Sequence, residues 1–502
     1  MQKLILLLFI LTTSISLNSQ DFEWARNFNI SGFGNGDSTF KTDKKGNVYF
    51  LGHFSGTVDF DPGAGIYNLT SPYGKIDICI LKLDKNGDFV WAKSITSDFS
   101  KRGNSIALDS YNNVYITGYF TNHTVDFDPG VGVYNLQSKG GDDMFILKLD
   151  ENGNFVWAKS LGGSKLDLGT SIIVDSDNNI YTTGVFRGTI DFDLGPNTFN
   201  LKSKGGEDVF IFKMNENGDF IWAKSVGGLE SDQTFSIYLD SENNVYTSGY
   251  FSSTVDFDPG TGVSTLSTNV GEYDIFILKM DENGNYVWAK SIPELSKLHS
   301  VSISFDSNNS IYVAGSFDGT IDLDFGTAVQ DLISNGGFDI FVLKMNRDGN
   351  FIWAKNIGGL GDEKSSSIIL DSNDDIYVTG YFTGTMNIDR GIDTFKLSSI
   401  GDRDIFILKL DKMGSFVWGN SFGGLKTEFS LSIKLGLDNN IYTSGMFSQT
   451  VDFDPGLDTF NLTASVGNID VFILKLSQCP TTFDTMRINT CDSYIWIDGK
   501  TY

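Results

Sequence analysis

The chain has 502 residues, a formal net charge of −26 from 63 acidic and 37 basic side chains, and 14% aromatic residues. Phosphate backbones need a basic face, and none is written here, so the composition argues against a nucleic-acid partner. Glycine is abundant (55) and proline scarce (8), the balance expected of many short strands joined by glycine turns.

Met1 to about Gln20 read as a secretory signal peptide: Lys3 supplies the positive start, Leu4 to Leu11 an apolar run, and Thr12 to Gln20 a polar exit. The run is too short to span a bilayer, and nothing later is apolar enough for a transmembrane helix. The expected location is secreted, extracellular or cell-surface.

From Asp21 to Ser477 one unit repeats. It is preceded by a lone tryptophan strand, Phe22-Glu23-Trp24-Ala25-Arg26. Each unit then opens with a strand such as Ser105 to Asp109, followed by a polar turn and a strand like Asn113 to Phe120. Next come Thr124 to Gly130, a variable segment, the apolar strand Asp143 to Leu149, and the tryptophan strand Phe155 to Lys159. The apolar strand begins at Asp77, Asp143, Asp208, Asp274, Asp339, Asp404 and Asp470. The tryptophans are Trp24, Trp91, Trp157, Trp222, Trp288, Trp353 and Trp418, 65 to 67 residues apart.

Both faces of the apolar strand are greasy. In Asp404 to Leu410 one carries Phe406, Leu408 and Leu410, the other Ile405 and Ile407. A strand buried on both sides needs a sheet on each side, which a ring of radial blades supplies. The fold expected is an all-β, closed seven-bladed β-propeller with about 66 residues per blade and an extra hairpin in one connection. The chain opens with a last strand and its final apolar strand lacks one, so the N-terminal strand completes the seventh blade and removes two sheet edges.

Several repeated residues invite a chemical reading. The D-F-D-P-G segment carries a second carboxylate in every unit (Asp61, Asp128, Asp193, Asp258, Asp324, Asp389 and Asp454) and a first in six, with Asn387 in the remaining one. Calcium takes oxygen ligands at such spacing. The turn glycine (Gly63, Gly130, Gly195, Gly260, Gly326, Gly391, Gly456) is never lost while the proline drifts, which favours a turn. D-x-N-G-x-F-V-W, as in Asp84 to Trp91, lacks calcium-loop spacing and reads as a glycine hairpin turn. The lysine inside the apolar strand (Lys82, Lys148, Lys213, Lys279, Lys344, Lys409, Lys475) recurs too regularly for catalysis and suits a structural pairing. Cys79 replaces a phenylalanine as a small buried apolar residue. His53, His123 and His299 share no metal spacing. Glu230, Glu272, Glu294, Glu363 and Glu428 are unit-specific and are expected mostly in solvent-facing loops. No catalytic, cofactor-binding or metal-ligating residue is assigned.

With these motifs in place the array resembles the SBBP-type β-propeller repeat family. It shares the glycine pair before the apolar strand (Gly140-Gly141, Gly205-Gly206, Gly336-Gly337), the Phe-x-x-Lys-Leu/Met core and the Asn-Val-Tyr-x-x-Gly strand. The resemblance implies an exported, surface-associated module. The T-V-D-F-D-P-G insert and the loss of the glycine pair in several units depart from the pattern.

The tail from 478 to 502 holds Cys479 and Cys491, which in an exported protein pair with each other or with residues beyond Tyr502. Cys491 to Tyr502 resembles the start of a short Cys/Trp module of secreted and cell-surface proteins of Gram-negative gliding bacteria, where type IX sorting domains often follow.

The function expected is a non-catalytic binding or display scaffold for a protein or glycan ligand, acting through variable loops: Ser97 to Asn104, Gly162 to Thr170, Leu229 to Thr234 and Ser291 to Ser300. The alternatives are a carbohydrate-active enzyme, lyase or glycosidase, with unrepeated acids converging at one mouth, and a quinoprotein-like enzyme.

Overall fold

Phe145 and Ile146 are neighbours in the chain and lie in different cores: Phe145 packs with Tyr49, Ile78 and Ile80 of the first blade, Ile146 with Ile172, Phe210 and Phe212 of the third. Strand alternation sends successive side chains to opposite faces, and here both faces meet another sheet. The strand Asp404–Leu410 shows the same partition, with Ile405 and Ile407 facing the seventh blade and Phe406, Leu408 and Leu410 facing the fifth.

The computed structural model describes residues 20–30, 39–72, 74–121, 123–269, 272–293, 301–326, 329–388, 395–437, 439–465 and 469–478. Among them are strands and no helix, and no helix long and apolar enough to cross a membrane. The proposed leader up to Ser19, with Cys479, Cys491 and the rest of the tail, falls outside the described residues.

The second blade shows the plan. Lys101–Leu108 is innermost, then Val114–Thr121, Asp142–Leu149 and, outermost, Phe155–Leu161, all antiparallel. The extra hairpin, Thr124–Asp126 with Asn135–Gln137, sits between the second and third strands. Seven such four-stranded units form the seven-bladed β-propeller ring; in the fifth, the outer strand Phe351–Gly359 also pairs with the hairpin of the next blade.

The N-terminal strand Gln20–Phe28 pairs antiparallel with Ile469–Gln478 and is the outer strand of the seventh blade, as the sequence predicts. Seven apolar clusters fill the seven seams between blades. One joins Phe40, Phe50 and Leu81 of the first blade to Tyr442, Met446 and Ile473 of the seventh. The ring therefore has no open sheet face where the chain begins and ends.

Two sequence expectations change. The inner strands begin earlier than the apolar pattern indicates, at Lys101, Asp167 and Gln233 rather than after them, so the segments read as variable loops are partly strand. Of Ser291 to Ser300, Ser291–Pro293 belongs to an outer strand and 294–300 lie outside the described residues.

Candidate functional site

Tyr115, Lys148 and Trp157 stand directly opposite one another on the second, third and outer strands. A long side chain at a cross-strand position reaches its neighbours, so the three form one row. The Lys148 ammonium lies 4.9 Å from the Tyr115 ring centroid, and the Tyr115 and Trp157 rings meet edge to face at 6.1 Å. All seven blades repeat the row, with lysine-to-ring distances from 4.6 Å at Lys213 to 5.5 Å at Lys475.

The row also reaches into the next blade. Trp91 Nε1 and Lys82 Nζ both donate to the Glu151 carbonyl, at 3.2 and 3.1 Å. Trp288 and Lys279 converge likewise on the Arg347 carbonyl. Glu151 belongs to a D-x-N-G turn, and Arg347 to the equivalent Asn346-Arg347-Asp348-Gly349. In the Glu151 turn Asp150 Oδ1 accepts the Asn152 and Asn154 N–H groups, and Gly153 has φ 76°. A Cβ on Gly153 would press on the Trp91 ring at 3.1 Å, so the glycine serves both a left-handed backbone and a close interblade approach. The hairpin reading holds and the repeated lysine has a structural partner.

The D-F-D-P-G segment is assembled as a turn. Asp126 Oδ1 accepts the N–H groups of Asp128 (3.0 Å) and Tyr134 (2.7 Å), and Asp128 Oδ1 accepts that of Gly130 (2.8 Å). The phenylalanine between them, Phe127, is buried in the seam with the first blade. Asp389, Arg390 and Gly391 lie outside the described residues. Among the described residues no group of three or more His, Cys, Asp or Glu is placed to hold a metal.

His53 is buried, accepts the Gly103 N–H at Nε2 (3.1 Å) and is pushed down to about 4 by burial. His123 stacks on Phe99, and His299 lies outside the described residues. Cys79 is free, buried and held above the ordinary thiol range by desolvation.

The glutamates require a correction. Glu230 and Glu272 are exposed and Glu294 is not described, but Glu363 and Glu428 are fully buried. They occupy the same place as Asp167 and Asp232, at the start of an inner strand, facing the aspartate that opens the apolar strand of the preceding blade. Among the described residues four seams thus pair two acids: Asp143 with Asp167, Asp208 with Asp232, Asp339 with Glu363, and Asp404 with Glu428. A backbone N–H caps each member: Lys139 on Asp143 and Gly163 on Asp167, Lys204 on Asp208 and Gly228 on Asp232, Asn335 on Asp339 and Gly359 on Glu363, Ile400 on Asp404 and Gly424 on Glu428. Burial pushes Asp143, Asp167 and Asp208 up to about 6, Asp232 and Glu428 to about 7, and Glu363 to about 8. The first seam places Lys101 against Asp77 instead, both side chains fully buried. These acids sit around the ring, one pair to a seam, and do not converge at one mouth. The signal that finds them is spacing: each follows its partner aspartate by 24 residues.

The inner strands enclose a central cavity of about 480 Å³. At one register position every blade presents a hydroxyl residue to it: Thr39, Ser105, Ser171, Ser236, Ser302, Ser367 and Ser432. Two residues further along, the channel-facing position carries Lys41 in the first blade and Lys434 in the seventh.

No family model matches the chain. In sequence it is similar to an uncharacterized WD repeat-containing protein of Acanthamoeba polyphaga mimivirus, 25% identical over 81% of this chain and 35% of that protein. It is also similar to the regulatory protein FlaEY of Caulobacter vibrioides, 27% identical over 29% of this chain and 15% of that protein. The matched regions span about a third or less of these relatives' own lengths. Among solved structures it is similar to a NanB sialidase of Streptococcus pneumoniae, with 12% identity, TM-score 0.36, and 91% of this chain and 70% of that one covered. A gluconolactonase of Xanthomonas campestris gives 8% identity, TM-score 0.33, and coverage of 80% and 90%.

Proposed function

We propose that the chain is an exported, non-catalytic propeller of the SBBP type that serves as a binding or display scaffold, engaging a protein or glycan through the variable loops between its blades. The observation that carries this reading is where the repeated side chains are used. The Tyr-Lys-Trp rows, the aspartate turns and the buried phenylalanines are all engaged within a blade or between blades, as scaffold residues are. What remains for a partner is the exposed surface of the connections between blades, such as Leu229, Leu360 and Leu425, each of which ends a Gly-Gly-Leu seven residues after its blade's tryptophan. The leader-like Met1 to Gln20 and the likeness of Cys491 to Tyr502 to a surface-protein module support a place at the cell surface, with type IX secretion as the route.

The test is a glycan array and a panel of purified surface polypeptides probed with the full chain and with a triple variant, Leu229→Asp, Leu360→Asp and Leu425→Asp. Saturable binding to one class, weakened at least about tenfold in a triple variant of unchanged melting temperature, supports the scaffold. Hydrolysis or elimination of an arrayed glycan by the purified chain would establish the carbohydrate-active enzyme in its place.

A further inference from the structure

Lys41 and Lys434 project into the central cavity from the inner strands of the first and seventh blades, neighbours across the seam that closes the ring. Among the described residues no aspartate or glutamate lines that cavity; the ionisable lining they supply is Lys41, Lys434 and Tyr238. Among the described residues neither ammonium has an ion pair or a hydrogen bond. Desolvation, and then repulsion from Lys41, push Lys434 down to about 7, and desolvation lowers Lys41 as well.

Two uncompensated cations in one enclosed space cost stability, and the scaffold does not need them. The register-equivalent position in the other five blades holds Ala107, Ile173, Tyr238, Ser304 and Ile369. A chain with a net charge of −26 has nonetheless placed two ammoniums in a cavity that none of the acids among the described residues lines. The hydroxyl ring lies one channel-facing layer away, about 7 Å along the strands. Ser105 Oγ already accepts the Ile172 N–H at 3.2 Å, which leaves its own proton to donate inward.

We propose that the central channel is a binding site for a small oxyanion-bearing ligand, with Lys41 and Lys434 holding the anionic group and the hydroxyl ring donating to its remaining oxygens. A cavity of about 480 Å³ suits a small molecule, not a polypeptide. The site is independent of whether the outer surface binds a protein or a glycan.

Isothermal titration of the full chain with sulfate, inorganic phosphate and citrate tests it. Sulfate keeps its charge between pH 6 and 8, so its pH dependence reports the protein, and citrate distinguishes a carboxylate site from a tetrahedral-oxyanion site. The expected result is one saturable site for at least one of the three. For sulfate, affinity should rise about tenfold from pH 8 to pH 6 as Lys434 takes its proton. Lys41→Met and Lys434→Met should each weaken binding at least about tenfold, while Lys434→Arg should keep binding and abolish its pH dependence. The Met variants keep an apolar side chain where other blades carry alanine or isoleucine, so they should fold; should either fail, the Arg variant decides. Absence of saturable binding for all three anions would overturn the proposal, and so would binding unchanged in both Met variants or a pH dependence retained in the Arg variant.

Discussion

The indole Nε1 of Trp24 donates to the carbonyl oxygen of Lys85 at 3.0 Å, joining the first strand of the chain to a turn of the first complete blade. Lys475 Nζ reaches the same carbonyl from the last strand, at 3.3 Å. The two ends of the array thus meet on one acceptor. The seventh blade has Gly436 where other turns carry an aspartate, and there Lys475 faces Glu23 of the N-terminal strand at 3.5 Å instead. The N-terminal strand therefore supplies both the missing edge and the missing charge.

Trp24 is nearly fully buried, and its strand enters a sheet through its pairing with Ile469–Gln478 across the closure. Trp24→Ala should cost about 3–5 kcal/mol by loss of packing, whereas Trp24→Phe, which keeps a ring and loses the hydrogen bond, should cost about 1 kcal/mol. Trp222→Ala, in a blade continuous in sequence, should cost less than Trp24→Ala. Denaturant midpoints of the three variants measure this, and equal losses at Trp24 and Trp222 would remove any special role for the closure.

The sevenfold lysine should not be equally important in every blade. Lys409 Nζ lies 3.2 Å from Asp371 and 3.0 Å from Asp375, while Lys148 is 3.9 Å from its nearest carboxylate, Asp109. Desolvation lowers both lysines, but at Lys409 the contacts with Tyr377 and Asp375 outweigh it and hold the ammonium above its ordinary range. At Lys148 desolvation wins over Asp109. A raised lysine contributes stability below its unfolded pKa, so at neutral pH the Lys409 contribution is fully present. Lys409→Met should cost about 2 kcal/mol and Lys148→Met under about 1 kcal/mol. Thermal midpoints in the reverse order would refute the distance argument.

The blade number, the hairpin insert and the composite seventh blade were legible because each rests on a repeated local pattern. Alternation in Asp404 to Leu410 named both cores, and the counts of tryptophan and apolar strands exposed the missing strand. The buried acids were not legible in that way. Glu363 sits among polar residues and Glu428 lies just outside the alternating strand Phe429–Leu435, so charge alone places them in solvent. Their partners, Asp339 and Asp404, lie in the preceding blade, and side-chain identity varies among Lys101, Asp167, Asp232 and Glu363, which hides the repeat. The cavity lysines were missed for a related reason: Lys41 and Lys434 break the pattern, and a reading guided by repetition passes over exceptions.

The acid pairs give the ring an unusual pH response. In Asp404 and Glu428, Oδ1 of one and Oε1 of the other take no hydrogen bond among the described residues, and burial raises both groups. A carboxyl raised in the folded state binds its proton more tightly there, so its stabilisation is present below the unfolded value near 4 and is lost as pH climbs through the folded value. With folded values of about 6 to 8 at Asp143, Asp167, Asp208, Asp232, Glu363 and Glu428, stability should fall between pH 5 and pH 8. Glu428→Gln should flatten part of that slope, recovering on the order of 2–3 kcal/mol at pH 8. The high net negative charge also favours lower pH, so the difference between Glu428→Gln and the parent chain across the range is the quantity to measure. Parallel curves would show that seam ionisation contributes nothing.

The last prediction concerns the D-F-D-P-G carboxylates. In six blades Oδ1 of the first aspartate already accepts two backbone N–H groups, from 2.8 and 3.1 Å at Asp59 to 2.8 and 3.1 Å at Asp452. A turn needs one acceptor oxygen and no charge, which is why Asn387 can stand in the sixth blade. Calcium would instead draw on several oxygens with net negative charge. Asp126→Asn should therefore cost under about 0.5 kcal/mol, and Asp126→Ala, which strands the Asp128 and Tyr134 N–H groups, about 1–2 kcal/mol. Calorimetric unfolding in calcium and in excess chelator should give one midpoint. A midpoint that falls in chelator and recovers with calcium, with Asp126→Asn abolishing the recovery, would turn these residues from turn acceptors into metal ligands.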